Sequence, residues 1–360
     1  MRGACALSVF LAHWNVFSDF TPHGPLEQGV QRAAALGLAF FSTITWPAGA
    51  SHPALVCFFV LSGFCIHYPF AWRVRTGGEA PDWPSHYRRR FLRIMPVYWT
   101  AALLGLAFVL IEQLYPSGNV VLALHASATP GDALARLTGL SAFYPKEIFA
   151  GNLTLNNIAV EMVMYAAYPL FYYCAYRGSW VRLGAVFLAL HLATIPLVRY
   201  VTPFWVFNSV PMLGVFWYAG AWAADHFVGH SARLPARWPL LAWLGFLSLQ
   251  FVPHFFGLSL IRQAVWGLVC TLGILWMLGW ETLRPQWSPG PMAAGLRYVG
   301  RISYSLHTVH PPIMMLVTWA LLRAGQRDYL VQFALLPVVA VGASLLVHYG
   351  IERRYYRPRT

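Results

Sequence analysis

"MRGACALSVFLAHWNVF", residues 1–17, carries an arginine at position 2, a histidine at position 13 and no charged residue between them. Whether so apolar a run lies in a soluble core or in a bilayer decides the fold, and composition answers the question. The 360 residues are 58% hydrophobic and only 10% charged, where a soluble globular domain is about 25% charged. The chain therefore reads as all-α, a polytopic integral membrane helical bundle. Apolar stretches near the roughly 20 residues that cross a bilayer as helix fall at 3–21, 53–72, 95–114, 156–176, 180–198, 204–224, 238–258, 261–280, 300–322 and 330–350. That gives about ten transmembrane helices. Two segments are ambiguous: 33–50, which contains Pro47, and 118–130, short enough to be interfacial or re-entrant.

The arginines and lysines set the orientation. With the N-terminus inside, 18 of the 25 basic residues fall on the cytoplasmic side, which the positive-inside rule requires of an N-in, C-in chain. The same distribution accounts for the net charge of +13, because the basic residues punctuate loops and form no tract suited to nucleic acid. Cys5, Cys57, Cys65, Cys174 and Cys270 all lie inside expected spans with no paired spacing, so free thiols are expected and no zinc site is implied. The N-terminal segment lacks the features of a cleaved signal and is expected to stay as the first helix. No internal repeat and no appended soluble domain is evident, so a single domain over 1–360 is expected, with its chemistry in the membrane or at its faces.

Eleven residues of α-helix advance about 1,100°, three turns and roughly 20°, and rise about 16 Å. Arg2 and His13 therefore share one face, with the arginine at the cytoplasmic mouth and the histidine near mid-bilayer. This separation suits a long, phosphate-headed ligand entering from the cytosol. The plainer alternative is an anchoring arginine and a histidine bonded to a neighbouring helix.

Three further polar groups interrupt apolar segments. Arg88, Arg89, Arg90 and Arg93 end the loop before the third span, and on a helix Arg89 and Arg93 would be neighbours at i, i+4; Arg90 and Arg93 are candidates for the phosphate oxygens of a ligand, and topology alone would also explain them. Asn157, Glu161, Tyr165 and Tyr168 fall on one helical stripe. Glu161 could orient an imidazole and stabilise its cation, or simply join helices. In "RISYSLHTVHPP" (301–312), Ser303, His307 and His310 share a face, and Pro311–Pro312 is expected to interrupt the helix where it lines a cavity. Ser62 and Gly63 in "FFVLSGF" allow close approach of a ligand or of another helix. Two signals are weak: His226 and His230 at metal-ligand spacing, for which no metal is expected, and the sequon "NLT" at 152–154.

The order of Arg-X10-His at 2–13, "FFVLSGF" at 58–64, "RRRFLRIMPVYW" at 88–99, "VEMVMYAAYP" at 160–169, "GRISYSLHTVHPP" at 300–312 and "IER" at 351–353 resembles the acyltransferase family 3 membrane proteins. The resemblance implies transfer of an acyl group, commonly acetyl, from acyl-CoA to a hydroxyl of a carbohydrate, a glycolipid or a secreted small molecule. It implies Arg2 and His13 as the catalytic signature and places His310 at the family's histidine. The expected assignment is then His13, Glu161 and His310 for catalysis and Arg2, Arg90 and Arg93 for acyl-CoA. Ser62, Gly63, Asn157, Tyr165, Ser303 and His307 would line the cavity. The expected partners are acyl-CoA as co-substrate, the hydroxyl acceptor and the lipid bilayer, with no metal and no nucleic acid, in a bacterial inner membrane. The rival is a transporter or flippase with buried His and Glu as a proton relay, but no inverted repeat supports it. A di-metal oxidase needs clustered histidine motifs that thirteen scattered histidines do not supply.

Overall fold

The computed structural model describes all residues except 18–24, 46–52, 145–148, 198–208, 231–234, 236, 251–255, 284–289 and 356–360. The protein is all-helical, with 88% of residues in helix and no strand among the described residues. Among the described residues four helical segments are long and apolar enough to cross a membrane: Ala54–Arg75, Trp83–Leu114, Leu260–Glu281 and Tyr329–Tyr355. A fifth span results if the pair Thr154–Ala166 and Tyr168–Gly178, bent by 52°, is counted as one. The bend has a local cause. Pro169 cannot donate to the carbonyl of Tyr165, so the helical ladder expected across 156–176 breaks at Ala167.

Chain packing divides the molecule into two compact units. Unit 1 comprises Met1–Ala39, Pro84–Ala159 and Gly295–Thr360. It contains α1 (Arg2–Phe17), most of α2 (Pro25–Thr45) and nearly all of α4 (Trp83–Leu114), with the first of these three following the expected first span. The ambiguous segment 118–130 resolves into a short helix, α5 (Val120–His125), and the start of α6 (Pro130–Thr138), neither long enough to span. Of the other ambiguous segment, Pro47 lies outside the described residues. The first half of α7 (Thr154–Ala166), α13 (Pro291–Arg323) and α14 (Tyr329–Val347) complete the unit.

Three bonds tie the end of α1 into this unit. Trp14 Nε1 donates to the Phe333 carbonyl at 2.9 Å, while Gln332 Nε2 at 2.8 Å and Thr318 Oγ1 at 3.3 Å both donate to the carbonyl of Phe17. At the opposite end Gly3 lies against the α13 backbone, where any side chain would collide with the Leu296 carbonyl. Both ends of the helix are thus fixed, and with them the positions of Arg2 and His13.

Unit 2 comprises Phe40–Trp83 and Val160–Ala294. It is built from α3 (Pro53–Arg75), α8 (Tyr168–Tyr173), α9 (Trp180–Leu197), α10 (Val210–His230), α11 (Arg237–Gln250) and α12 (Phe256–Leu283). Its central contact is the crossing of α3 on α10, made possible by two glycines. A methyl group on Gly63 would sit inside the carbonyl of Trp217, and one on Gly220 would sit inside the carbonyl of Val60. Gly63, expected to line a cavity, is placed at this crossing, and close backbone packing explains its identity.

Two expectations need correction. Arg88, Arg89, Arg90 and Arg93 do not lie in a loop, because α4 already begins at Trp83 and carries them on its first three turns. Nor does Pro311–Pro312 interrupt its helix, since α13 runs unbroken from Pro291 to Arg323. In an unbroken ladder the N–H of residue 312 would bond the carbonyl of Thr308. Proline has no such donor, and a buried carbonyl left bare costs about 1–3 kcal/mol. Asn152 supplies the missing bond, its Nδ2 donating to the Thr308 carbonyl at 2.8 Å.

The glycine crossing is tested by Gly63→Ala and Gly220→Ala, each expected to destabilise the detergent-solubilised protein by about 1–3 kcal/mol or more through overpacking. Gly245→Ala, where an added methyl meets open space, is the control and should leave the unfolding midpoint unchanged or raise it slightly, since alanine is the better helix former. Equal midpoints for all three variants would remove the crossing from the account.

Candidate active site

In unit 1 the two histidines singled out on different helices meet. His13 Nδ1 lies 2.8 Å from His310 Nε2, with ring centroids 5.0 Å apart and planes inclined by 29°. The other nitrogen of His310, Nδ1, lies 2.5 Å from the carbonyl of Leu306, one turn earlier on α13. A carbonyl only accepts, so His310 Nδ1 carries the hydrogen. In a neutral ring Nε2 is then the acceptor, and His13 Nδ1 must be the donor to it. The lone pair of His13 is thereby placed on Nε2. His310 is fully buried, and Phe10 packs against its ring at 5.4 Å between centroids.

Unit 1 also holds Arg2, Ser303, His307, Arg90, Arg93 and Asn157. Arg2 lies on the first turn of α1, half-buried, its Cβ facing Gly300 of α13. His307 is one turn below His310, with ring centroids 6.4 Å apart. Ser303 is buried and donates to its own helix, to the Gly300 carbonyl at 2.9 Å. Arg90 and Arg93 are half-buried on α4, whereas Arg88 and Arg89 are exposed. Asn157 is half-buried, and no hydrogen bond reaches its Oδ1.

Unit 2 holds the rest. Tyr165 donates a very short hydrogen bond to Glu161, one turn earlier on α7, and its hydroxyl also meets Ser62 Oγ at 2.9 Å. The polar stripe expected through Tyr168 holds as far as Tyr165. Beyond the bend Tyr168 belongs to a separate group, centred on His67, that sequence reading missed.

In that group Tyr176 donates to Asp225 Oδ1 at 2.8 Å, so its oxygen accepts from His67 Nε2–H at 3.1 Å. His67 Nδ1 then accepts from the Tyr168 hydroxyl at 2.9 Å. Arg75 lies 3.6 Å from the other oxygen of Asp225. His67 is the lone histidine of an apolar span, and that is its only signal in the sequence. Of the neighbouring pair His226 and His230, His226 stacks on Trp222 at 5.1 Å, and the side chain of His230 lies outside the described residues.

Two more buried groups of unit 1 were not foreseen. Glu352 Oε2 accepts from Ser305 Oγ at 2.6 Å and from His348 Nδ1 at 2.8 Å, tying α13 to the turn that follows α14. Arg136 on α6 is completely buried, donating to Asn156 Oδ1 at 2.9 Å and to the Phe149 carbonyl at 3.3 Å while its own carbonyl accepts from Tyr98 at 2.6 Å. Burial pulls its guanidinium down to about 10, which leaves it cationic at neutral pH.

An apolar all-helical chain whose described residues include four or five segments able to cross a bilayer defines an integral membrane protein. The acyltransferase domain of family 3 matches residues 1–349, nearly the whole chain, and the protein belongs to that family. It is an acyl-transferring enzyme of the membrane. The match ends just before the "IER" stretch. No curated protein and no solved structure matches the chain.

Arg136→Ala removes the hydrogen bonds to Asn156 and Phe149 together. It should leave two buried acceptors bare at a cost of about 1–3 kcal/mol each, read as a lower unfolding midpoint in detergent. Arg136→Lys should not restore the midpoint, because a single ammonium cannot reproduce the planar fork. A wild-type midpoint in either variant would contradict this.

Proposed function

We propose that this protein is an O-acyltransferase that moves an acyl group, acetyl first among them, from cytoplasmic acyl-CoA to a hydroxyl of a carbohydrate or of another envelope or secreted acceptor. The observation that carries the reading is the 2.8 Å bond between His13 and His310. It fixes His13 in the tautomer whose Nε2 can take a proton, as the carboxylate does for the histidine of a hydrolytic triad. His13 Nε2 removes the acceptor's hydroxyl proton as the oxygen bonds the thioester carbonyl carbon. When the carbon–sulfur bond breaks, the imidazolium returns that proton to the departing thiolate. The cycle consumes no net proton, and a neutral orienting ring adds no second charge to the membrane interior.

The remainder of the reading extends the sequence expectations. One domain over 1–360 crosses a bacterial inner membrane about ten times, with both termini inside. The half-buried Arg2, Arg90 and Arg93 hold the donor's phosphates, since guanidinium groups suit phosphate oxygens. The family resemblance also implies a part for Glu161, which accepts from Tyr165 within unit 2. In unit 1, His307, Ser303 and Asn157 line the path of substrates. No metal enters the scheme.

Turnover can be followed as thiol release from acetyl-CoA in membranes from cells expressing the full chain. His13→Ala should lower it at least a hundredfold, the least expected from loss of an essential base, at unchanged protein level. Arg90→Ala with Arg93→Ala should instead raise the KM for acetyl-CoA. A His13→Ala protein with a tenth of normal turnover would defeat the role of the base, and an unchanged KM in the double variant would return the arginines to topology alone. Reporter fusions at Gly78 and Gly118 should fall inside and outside the cell respectively; the reverse would refute the orientation.

A further inference from the structure

We propose that Asn152 is a positioning residue for the acyl transfer: its amide replaces the N–H that Pro312 lacks and so fixes the turn of α13 that aims His310 at His13. The inference rests on the dyad reading above.

The turn that carries His310 is missing two rungs of its helical ladder. Pro311 and Pro312 cannot donate to the carbonyls of His307 and Thr308. Without another constraint that turn could tilt or unwind, and the ring of His310 would move with it. Asn152 Nδ2 reaches the Thr308 carbonyl at 2.8 Å. The amide cannot be reversed, because its Oδ1 accepts from Thr154 Oγ1 at 2.7 Å and a carbonyl can only face the nitrogen end.

Asn152 itself is held on a rigid support. It is fully buried, and its backbone N–H donates to the Phe149 carbonyl at 2.8 Å. The two residues before it have left-handed backbones, Ala150 at φ 37° and Gly151 at φ 69°. For alanine that conformation is costly and persists where the surroundings enforce it. Here the enforcement is visible: Gly151 donates to the His125 carbonyl at 2.9 Å and presses so closely on Gly105 of α4 that no side chain would fit. Strain held at 150–151 thus delivers one amide to one carbonyl, two residues before the ring that orients His13. Complete burial also removes Asn152 as an acceptor for glycosylation despite its sequon.

The test separates a positioning role from a merely structural one through rescue. In membranes containing the full chain, with acetyl-CoA as probe, Asn152→Ala should lower kcat at least tenfold with the KM for acetyl-CoA within twofold of normal. Pro312→Ala restores an N–H at the position that faces Thr308, so Asn152→Ala/Pro312→Ala should recover to within threefold of Pro312→Ala alone. Full activity in Asn152→Ala, or no recovery in the double variant, overturns the proposal. If Asn152→Ala does not accumulate, Asn152→Asp keeps the volume, removes the donor and is combined with Pro312→Ala under the same two criteria. His13→Ala measured alongside keeps the two claims apart: an active His13→Ala refutes the dyad, whereas an inactive one with a normal Asn152→Ala refutes only the positioning.

Discussion

An imidazole inside a membrane protein has two nitrogens to satisfy, one as donor and one as acceptor while the ring is neutral. In unit 1 this constraint settles more than any other. His310 uses Nδ1 on the carbonyl of Leu306, which leaves Nε2 only the role of acceptor, and His13 must then donate from Nδ1. A carbonyl thus decides the tautomer of a ring on another helix. The chain of assignments fixes which atom of His13 can act as a base, and it does so without an ionised group. A neutral hydrogen bond of this kind contributes only about 0.5–1.5 kcal/mol to stability, so its importance lies in orientation.

The same accounting explains the elements around the pair. Prolines beside His310 free two backbone carbonyls, and Asn152 takes one of them. Bonds from Gln332, Thr318 and Trp14 secure the far end of α1 and its junction with α14, and the glycine contact at Gly3 secures the near end. Unit 2 applies the rule differently. There His67 satisfies both nitrogens with tyrosines, and the direction of its chain is set by the carboxylate of Asp225.

The sequence made local periodicity legible and distant pairing illegible. Helical spacing alone put Arg2 and His13 on one face, and Ser303, His307 and His310 on another. Nothing in either segment announced that His13 and His310, 297 residues apart, would share a hydrogen bond. Residue type misled where the partner was remote. Asn152 read as a sequon and Pro311–Pro312 as a break, because each is explained by a group elsewhere in the chain. The bend at Ala167 was written in Pro169, yet the apolar run across it read as one span. The arginines of α4 looked like a loop because charge density and helix formation are independent properties: arginine is a good helix former.

The central claim is a proton position, and histidine-selective 15N magnetic resonance of the full chain in lipid observes it. The account predicts a nitrogen–nitrogen coupling across one hydrogen bond, joining a protonated Nδ1 of His13 to an unprotonated Nε2 of His310, and its loss in either single alanine variant. An unprotonated Nδ1 on His13, or two rings with no coupling between them, would contradict it.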